Sequence, residues 1–185
     1  MTTAAGEANT LVLLRHAKSA WPDVPDHERP LAGRGRRDAP AMGHWLRIAG
    51  YQPDLVLCST ARRARQTWEL AQSALGTGPP AVFDRRLYQA SVAEILDLIR
   101  HTEPSVRTLL VVGHDPGIPE LALALAVAAP AAPGVVLGRM RAKFPTGAVA
   151  VFKSPEAWDR LSPGRTRMAC FVAPRDLADQ PHGTT

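Results

Sequence analysis

The chain has 185 residues, of which 45% are hydrophobic and 21% are charged, with a formal net charge of +5. This length and composition predict one folded domain with a buried core and exclude a disordered chain. No apolar run reaches the roughly 20 residues that a membrane-spanning helix requires. Cys58 and Cys170 each lie in an apolar run, which favours buried thiols in a reducing compartment over a disulfide or a metal site.

The chain ends differ from the middle in composition. We expect a flexible leader over residues 1–9, a single domain over residues 10–177 and a polar tail over residues 178–185. An Ala/Pro-rich linker is expected at Ala129–Gly134. The first ten residues lack the basic start and apolar segment of an export signal, so a cytoplasmic protein is expected.

The basic charge indicates an anionic partner without identifying it. Basic residues occur in small groups and are not interleaved with aromatic residues, so neither a nucleic acid nor a membrane is the expected partner. Nothing in the sequence indicates the oligomeric state.

Short apolar runs alternate with segments of helical periodicity, which predicts a largely parallel sheet covered on both faces. The predicted strands are Thr10–Leu14, Asp54–Cys58, Ala81–Phe83, Thr108–Val112, Ala148–Phe152 and Arg167–Val172. The predicted helices are Leu31–Ala49, a segment from Ser59 or Thr60 to about Leu75, Val92–His101 and about Pro119–Ala128.

Several residues predict where these helices begin. Because proline fits a helix only in its first turn, Pro40 predicts that the regular part of the first helix starts near Asp38. Ser59 and Thr60 are expected to cap the second helix, and Ser91 is expected to cap the third.

Three of the predicted strands end in cationic or ionisable residues. Arg15 and His16 follow the first strand, Arg62 and Arg63 follow the second, and His114 follows the strand at Thr108–Val112. The carboxyl ends of parallel strands meet at one edge of a sheet, so these side chains are expected to converge. Arg62 and Arg63 also lie in the first turn of a predicted helix, where free N–H groups and the helix dipole favour an anion. The sequence therefore predicts a phosphate site.

The residue types at this site favour phosphoryl transfer. No metal is expected on His16 and His114, because neighbouring arginines would repel a cation and the ligand set is incomplete. The strand ends are basic, so hydrolysis by paired carboxylates is not suggested. Arginines can neutralise the oxygens of a phosphoryl group while a neutral imidazole attacks the phosphorus in line.

Ordered motifs resemble a known family. Residues 13–19 (LLRHAKS) resemble the R-H-G-x-[S/T] signature of the histidine phosphatase (phosphoglycerate mutase-like) superfamily. Residues 59–67 (STARRARQT) resemble its S-x-x-x-R-A-x-Q-T segment, which aligns Arg63, and not Arg62, with the phosphate-binding arginine. Residues 112–117 (VGHDPG) resemble the segment of its second histidine.

The resemblance is closer to the SixA-like phosphohistidine phosphatases and covers about Leu11 to Leu177. The segments that carry it are RHAKSAW, Arg86–Tyr88, VVGHDPG, Lys143–Gly147 and Phe171–Leu177. The resemblance implies an αβα sandwich around a mostly parallel sheet. It also implies a phosphatase that needs no metal or organic cofactor and acts on a phosphorylated protein or a small phosphorylated molecule.

The resemblance assigns roles to individual residues. His16 would be the nucleophile that becomes phosphorylated and is then hydrolysed by water. Lys18 has a second interpretation as a solvated loop charge. The side chains expected to bind the phosphoryl group or the substrate are Arg15, Arg63, His114, Ser19 and Lys18.

The sequence departs from the family at two points. Ala17 stands where most members have glycine, as expected in the SixA-like branch. Members that cleave phosphate esters carry an acid after the strand near residue 83, yet residues 86–91 (RLYQAS) contain none. The carboxylates considered as a general acid in its place are Asp23, Asp26, Glu28 and Glu94.

The missing acid favours a P–N substrate such as phosphohistidine, or an activated ester, over a stable sugar phosphate, because an imidazole nitrogen needs far less protonation on leaving than an alkoxide. Two alternatives stay open. One is a broad-specificity phosphomonoesterase that uses a carboxylate of the 20–30 loop as general acid. The other is a non-catalytic module that binds phosphate or a phosphoprotein.

Overall fold

A computed structural model of the chain describes residues 8–127 and 134–178. Most of the expected leader and tail lies outside the described residues, as does the linker up to Pro133. Asn9, which was expected in the leader, is the first residue of a strand.

The described residues form six strands and six α-helices. The strands are β1 (Asn9–Arg15), β2 (Leu55–Ser59), β3 (Ala81–Asp84), β4 (Thr108–Gly113), β5 (Val149–Ser154) and β6 (Arg167–Val172). The helices are α1 (Gly33–Ile48), α2 (Arg62–Leu75), α3 (Val92–Arg100), α4 (Gly117–Val127), α5 (Gly134–Ala142) and α6 (Pro174–Ala178). Short 3₁₀ helices lie at Asp26–Glu28, Arg85–Leu87 and Trp158–Arg160.

The strands form one sheet in the order β3-β2-β4-β1-β5-β6. The pairs β3–β2, β2–β4 and β4–β1 are parallel, whereas β5 runs antiparallel to both β1 and β6. The predicted, mostly parallel sheet is therefore confirmed. Because β4 lies between β1 and β2, the carboxyl ends of these three strands lie side by side.

Helices cover both faces of the sheet. Along β1, Leu11 and Leu13 pack with α3, α4 and α5, whereas Val12 and Leu14 pack with α1 and α2 on the opposite face. This alternation follows from the two-residue period of a strand, and apolar residues on both faces are typical of a covered parallel sheet. The arrangement is the expected αβα sandwich.

The expected start of α1 near Asp38 is wrong. The helix begins at Gly33, and Pro40 lies in its interior, where it removes one backbone hydrogen bond. Although one hydrogen bond is lost, α1 packs closely against its neighbours. A Cβ on Gly35 would overlap the backbone of Lys18, and one on Gly43 would overlap the backbone of Ala71 in α2.

Of the predicted helix caps, the one of α3 is confirmed and the one of α2 is wrong. Ser91 caps α3, and Glu94 completes a capping box with it. The expectation that Ser59 or Thr60 caps α2 is wrong, because the residue at that position is Ala61, with no side-chain cap. The hydroxyl of Ser59 instead contacts His114.

Two helices were not predicted. The helix α5 begins at Gly134, where the expected linker ends, and α6 ends at Ala178, the first residue of the expected tail. Within residues 8–127 and 134–178, no helix is long and apolar enough to cross a membrane.

The contact between α1 and α2 allows a stability test. Gly43→Ala should lower the free energy of unfolding by roughly 1–3 kcal/mol, because the added methyl group must separate the two helices. Gly138→Ala is the matched control, since a Cβ on this α5 residue would meet no atom within 4 Å. Urea unfolding measures both variants. Equal effects of the two substitutions would contradict the close packing of α1 on α2.

Candidate active site

A cavity of about 210 Å³ opens at the carboxyl edge of the sheet, beside the ends of β1 and β4. It brings together every residue that was predicted to bind the phosphoryl group or substrate. The lining residues are Arg15, His16, Lys18, Ser19, Trp21, Arg29, Arg63, His114, Asp115 and Thr146.

His16 is held in one tautomer. Its Nδ1 lies 2.8 Å from the carbonyl oxygen of Ala17, so Nδ1 carries the proton and donates it to that oxygen. The N–H of Ala17 in turn donates to Thr67 Oγ1 at 3.0 Å. This second bond holds Ala17, and with it the carbonyl group that accepts from His16, in place. The Nε2 atom of His16 therefore keeps its lone pair, and the Nε–H group of Arg63 lies 3.3 Å from it.

His114 presents its other ring nitrogen to the cavity. The Nε2 atom lies 2.7 Å from the hydroxyl oxygen of Ser59, which also accepts from the N–H of Ala61 at 3.3 Å. The Ser59 hydroxyl has no other acceptor among the described residues, so its proton is donated to Nε2, and the ring proton of the neutral His114 lies on Nδ1. His114 Nδ1 is buried and has no hydrogen-bond partner among the described residues. It is thus an N–H donor available to a ligand.

Arg63 joins His16 to the loop before α1. Its Nε faces His16, whereas Nη1 donates to the carbonyl oxygen of Asp26 at 2.6 Å and Nη2 donates to Asp26 Oδ2 at 3.0 Å. Arg63 is buried in the first turn of α2, whereas its neighbour Arg62 is exposed. The structure therefore places Arg63, and not Arg62, in the site.

Arg15 is anchored at both ends of its fork. Nη1 donates to the carbonyl oxygen of Phe144 at 2.6 Å, and Nη2 pairs with Asp115 Oδ2 at 2.9 Å. The Nε atom is buried without a partner among the described residues. The backbone is held by Gly147, whose N–H lies 3.0 Å from the carbonyl oxygens of both Arg15 and His16. Gly147 has φ +79°, a conformation that favours glycine.

Arg29 is the functional residue that the sequence prediction missed. It is buried, and its Nε and two Nη atoms donate to Ala20 O, Asp26 Oδ1 and Ser19 Oγ. Its guanidinium carbon lies 3.3 Å from the ring centroid of the exposed Trp21. The available signal was its position directly before Pro30, because that position favours an extended backbone that can reach the site.

The remaining predicted contacts lie at the rim. Ser19 is buried, and its hydroxyl oxygen accepts from Arg29 Nη2 at 2.5 Å. Lys18 is exposed, and its side chain lines the opening of the cavity. This position is compatible with both interpretations of Lys18, as a side chain that contacts the substrate and as a solvated loop charge.

The environment keeps both histidines neutral. Burial is the largest cause and lowers the pKa of His16 to about 4; the hydrogen bond to Ala17 opposes this shift, and the guanidinium groups of Arg63, Arg15 and Arg29 add to it. Burial, and then the neighbouring His16 and Arg63, also hold the pKa of His114 far below the ordinary histidine value. At neutral pH His16 Nε2 therefore has the electron pair that a nucleophile needs.

No carboxyl group is placed as a proton donor among the described residues lining the cavity. The hydroxyl of Tyr88 donates to Asp26 Oδ2 at 2.6 Å, and together with Arg29 and Arg63 it holds the pKa of Asp26 well below its usual range. Asp115 is paired with Arg15. Glu94 serves the capping box of α3, and Asp23 and Glu28 are exposed residues outside the cavity lining.

The lowered pKa of His16 makes stability depend on pH. An unfolded chain binds a proton at this ring below its ordinary pKa of about 6.5, whereas the folded chain does so only near pH 4. The free energy of unfolding should therefore fall as the pH drops from 6.5 to 4, by on the order of 3 kcal/mol from His16. Urea unfolding across this range measures the slope.

His16→Gln should flatten that slope and leave only the part due to His114 and other titrating groups. The exposed His44→Gln is the control and should keep the slope of the wild type. An unchanged slope in the His16 variant would show that the ring is protonated as readily in the folded chain as in the unfolded one.

Comparison with known proteins identifies the family. The model of the histidine phosphatase superfamily (branch 1) matches residues 11–102. An uncharacterized protein of Mycobacterium tuberculosis (strain H37Rv) is 44% identical over 163 residues, which cover 88% of this chain and 100% of the relative. Two solved structures, each of a candidate phosphohistidine phosphatase SixA, are also similar.

The structure from Nakamurella multipartitia has a TM-score of 0.78 and 34% identity, covering 90% of this chain and 96% of that chain. The structure from Agrobacterium tumefaciens has a TM-score of 0.75 and 30% identity, covering 89% and 97%. Each of these two matches covers about nine tenths of this chain. The chain therefore belongs to the histidine phosphatase superfamily, in its SixA-like branch.

Proposed function

We propose that the protein is a phosphohistidine phosphatase that works through a covalent phosphohistidine on His16. One observation carries the proposal. His16, Arg15 and His114 line one cavity, and two buried nitrogen atoms of this set, Arg15 Nε and His114 Nδ1, have no hydrogen-bond partner among the described residues. A nucleophile beside unpaired donors is the arrangement that a transferring phosphoryl group requires.

In the first step, His16 Nε2 attacks the phosphorus atom of the substrate. The new P–Nε2 bond forms as the bond between phosphorus and the substrate's imidazole nitrogen breaks. Arg15, Arg63 and His114 donate hydrogen bonds to the phosphoryl oxygens, and the Nδ1–H of His16 stays bonded to Ala17. The substrate leaves as a neutral imidazole when its other ring nitrogen already carries a proton.

In the second step, a water molecule attacks the phosphorus atom and the P–Nε2 bond breaks. The water's oxygen and both of its protons end in the released dihydrogen phosphate ion. His16 returns to the neutral tautomer with its proton on Nδ1. The same donors serve both steps, because the phosphoryl oxygens remain in one place.

The environment of Asp26 supports a substrate with a P–N bond. Three donors hold this carboxylate ionised, so it is poorly suited to protonate an alkoxide leaving group. A phosphohistidine substrate does not need a proton from this carboxyl group. The geometry thus favours the phosphatase over the phosphomonoesterase that would use a carboxylate of the 20–30 loop.

The proposal is tested by phosphate release from a phosphohistidine protein, an aryl phosphate and a sugar phosphate. We expect the phosphohistidine protein to have the highest kcat/KM. His16→Ala should abolish turnover of it, because no other group can form the covalent intermediate. Acid-quenched ³²P labelling of the wild type should trap a phosphoryl group that is lost on mild acid treatment.

Three results would count against the proposal. Undiminished turnover by a correctly folded His16→Ala variant would exclude the covalent route. A sugar phosphate that is cleaved best, in a reaction that Asp26→Asn abolishes, would favour the phosphomonoesterase. Phosphate binding without any turnover would favour the non-catalytic module.

The two adjacent arginines of α2 offer a matched pair of variants. Arg63→Ala should lower kcat/KM by roughly 10²–10³-fold, because it removes a donor that stabilises charge on the phosphoryl oxygens. Arg62→Ala removes the same charge one residue away at an exposed position and should stay within about two-fold of wild type. Steady-state phosphate release measures both variants. Equal losses would indicate that net charge, and not the position of Arg63, supports turnover.

A further inference from the structure

A second cavity, of about 550 Å³, lies at the opposite edge of the sheet from the active site. It is lined by residues at the start of β1 and β4 and by residues of β5 and β6. Thr10 of this cavity and Arg15 of the active site are five residues apart on β1, which separates them by about 17 Å. The two cavities are therefore distinct sites. The lining residues are Ala8, Thr10, Arg107, Thr108, Lys153, Pro155 and Arg167.

The strand register places four of these residues in one row. Thr10 is directly opposite Thr108 on one side and opposite Lys153 on the other, and Lys153 is directly opposite Arg167. Directly opposed residues project from the same face of a sheet. Two hydroxyl groups and two cations thus lie side by side across four strands. They lie on the same face of the sheet as α1 and α2, which cover other parts of that face.

A β-bulge brings the two cations together. The pairing of β5 with β6 shifts between Val151 and Phe152, so that Lys153 faces Arg167. Without this shift, Met168 would stand opposite Lys153, and Arg167 would project from the other face. Like charges directly opposed on neighbouring strands destabilise a sheet, and bulges redirect side chains at functional sites.

The charges in this row are not neutralised within the described residues. Neither Lys153 nor Arg167 forms an ion pair with a described residue. Lys153 Nζ donates to Thr10 Oγ1 at 2.7 Å and lies 5.7 Å from the ring centroid of Tyr51. The carboxylate of Asp54 is nearby, but its Oδ2 accepts from the backbone N–H groups of Arg107 and Thr108 and it does not line the cavity.

We propose that this cavity is a second anion site that binds a diphosphate group. The fork of Arg167 suits one phosphoryl group, and the ammonium group of Lys153 on the next strand suits its neighbour. The hydroxyl of Thr108, at the β4 end of the row, is a further donor. The volume lies within the range of small-molecule sites, so the diphosphate can be inorganic pyrophosphate or part of a nucleoside diphosphate.

The experiment is isothermal titration of the full chain with pyrophosphate and, separately, with ADP, at fixed ionic strength. The background is Arg63→Ala, so that binding at the active site contributes little. Lys153→Gln and Arg167→Gln should each weaken pyrophosphate binding by roughly ten-fold or more, because each removes a charge-assisted contact. Arg141→Gln removes the same charge from an exposed residue outside the cavity and should bind like the background protein.

Thermal unfolding provides a second measurement that separates loss of binding from loss of folding. Pyrophosphate should raise the Tm of the background protein but not that of the Lys153 or Arg167 variants. Without ligand, those variants should unfold no earlier than the background protein, because each relieves the repulsion between the two cations.

The outcomes distinguish the possible sources of the diphosphate. Binding of ADP with the same sensitivity to Lys153 and Arg167 supports a nucleoside diphosphate, and binding of pyrophosphate alone supports the inorganic ion. Pyrophosphate binding that is unaffected by either substitution would overturn the proposal. So would an equal loss in Arg141→Gln, because the effect would then follow net charge alone.

Discussion

The hydrogen bond from His16 Nδ1 to the carbonyl oxygen of Ala17 is the interaction on which the site depends. It orients a buried imidazole so that Nε2, which carries the lone pair, points toward Arg63 and accepts a hydrogen bond from its Nε–H group. The same arginines that can hold a phosphoryl group also disfavour protonation of this ring, so one arrangement of charge serves binding and nucleophilicity. Two carboxylates, Asp26 and Asp115, orient Arg63 and Arg15 without facing His16 as proton donors.

Much of the fold was predictable because burial imposes simple patterns on the sequence. All six strands were found as short apolar runs, and Ser91 identified the start of α3 as its N-cap residue. Pro40 misled the prediction of α1, because local propensity does not include the contact between Gly43 and α2. The helix α5 was missed because its apolar residues do not form a continuous stripe.

The candidate site was predictable where the fold's topology determines it. Arg15, His16, Arg63 and His114 follow strand ends, and a parallel sheet brings strand ends together. Arg29 and the role of Asp26 were not predictable in the same way, since both lie in a loop whose path depends on tertiary contacts. The carboxylate considered as a proton donor is, in the structure, a partner of arginines. Only the distances between Asp26 and the two arginines distinguish these two roles.

The strand order has a consequence for how the site comes into being during folding. The strand β4 lies between β1 and β2 but follows both in the chain, so it must insert between two earlier strands. Until it does, His114 is not beside His16, and the burial that keeps the nucleophile neutral is incomplete. Such non-local pairing forms slowly. The buried, neutral imidazole is thus a property of the finished sheet, and a chain released before residue 114 would carry the Arg-His pair without the surroundings that lower the pKa of His16.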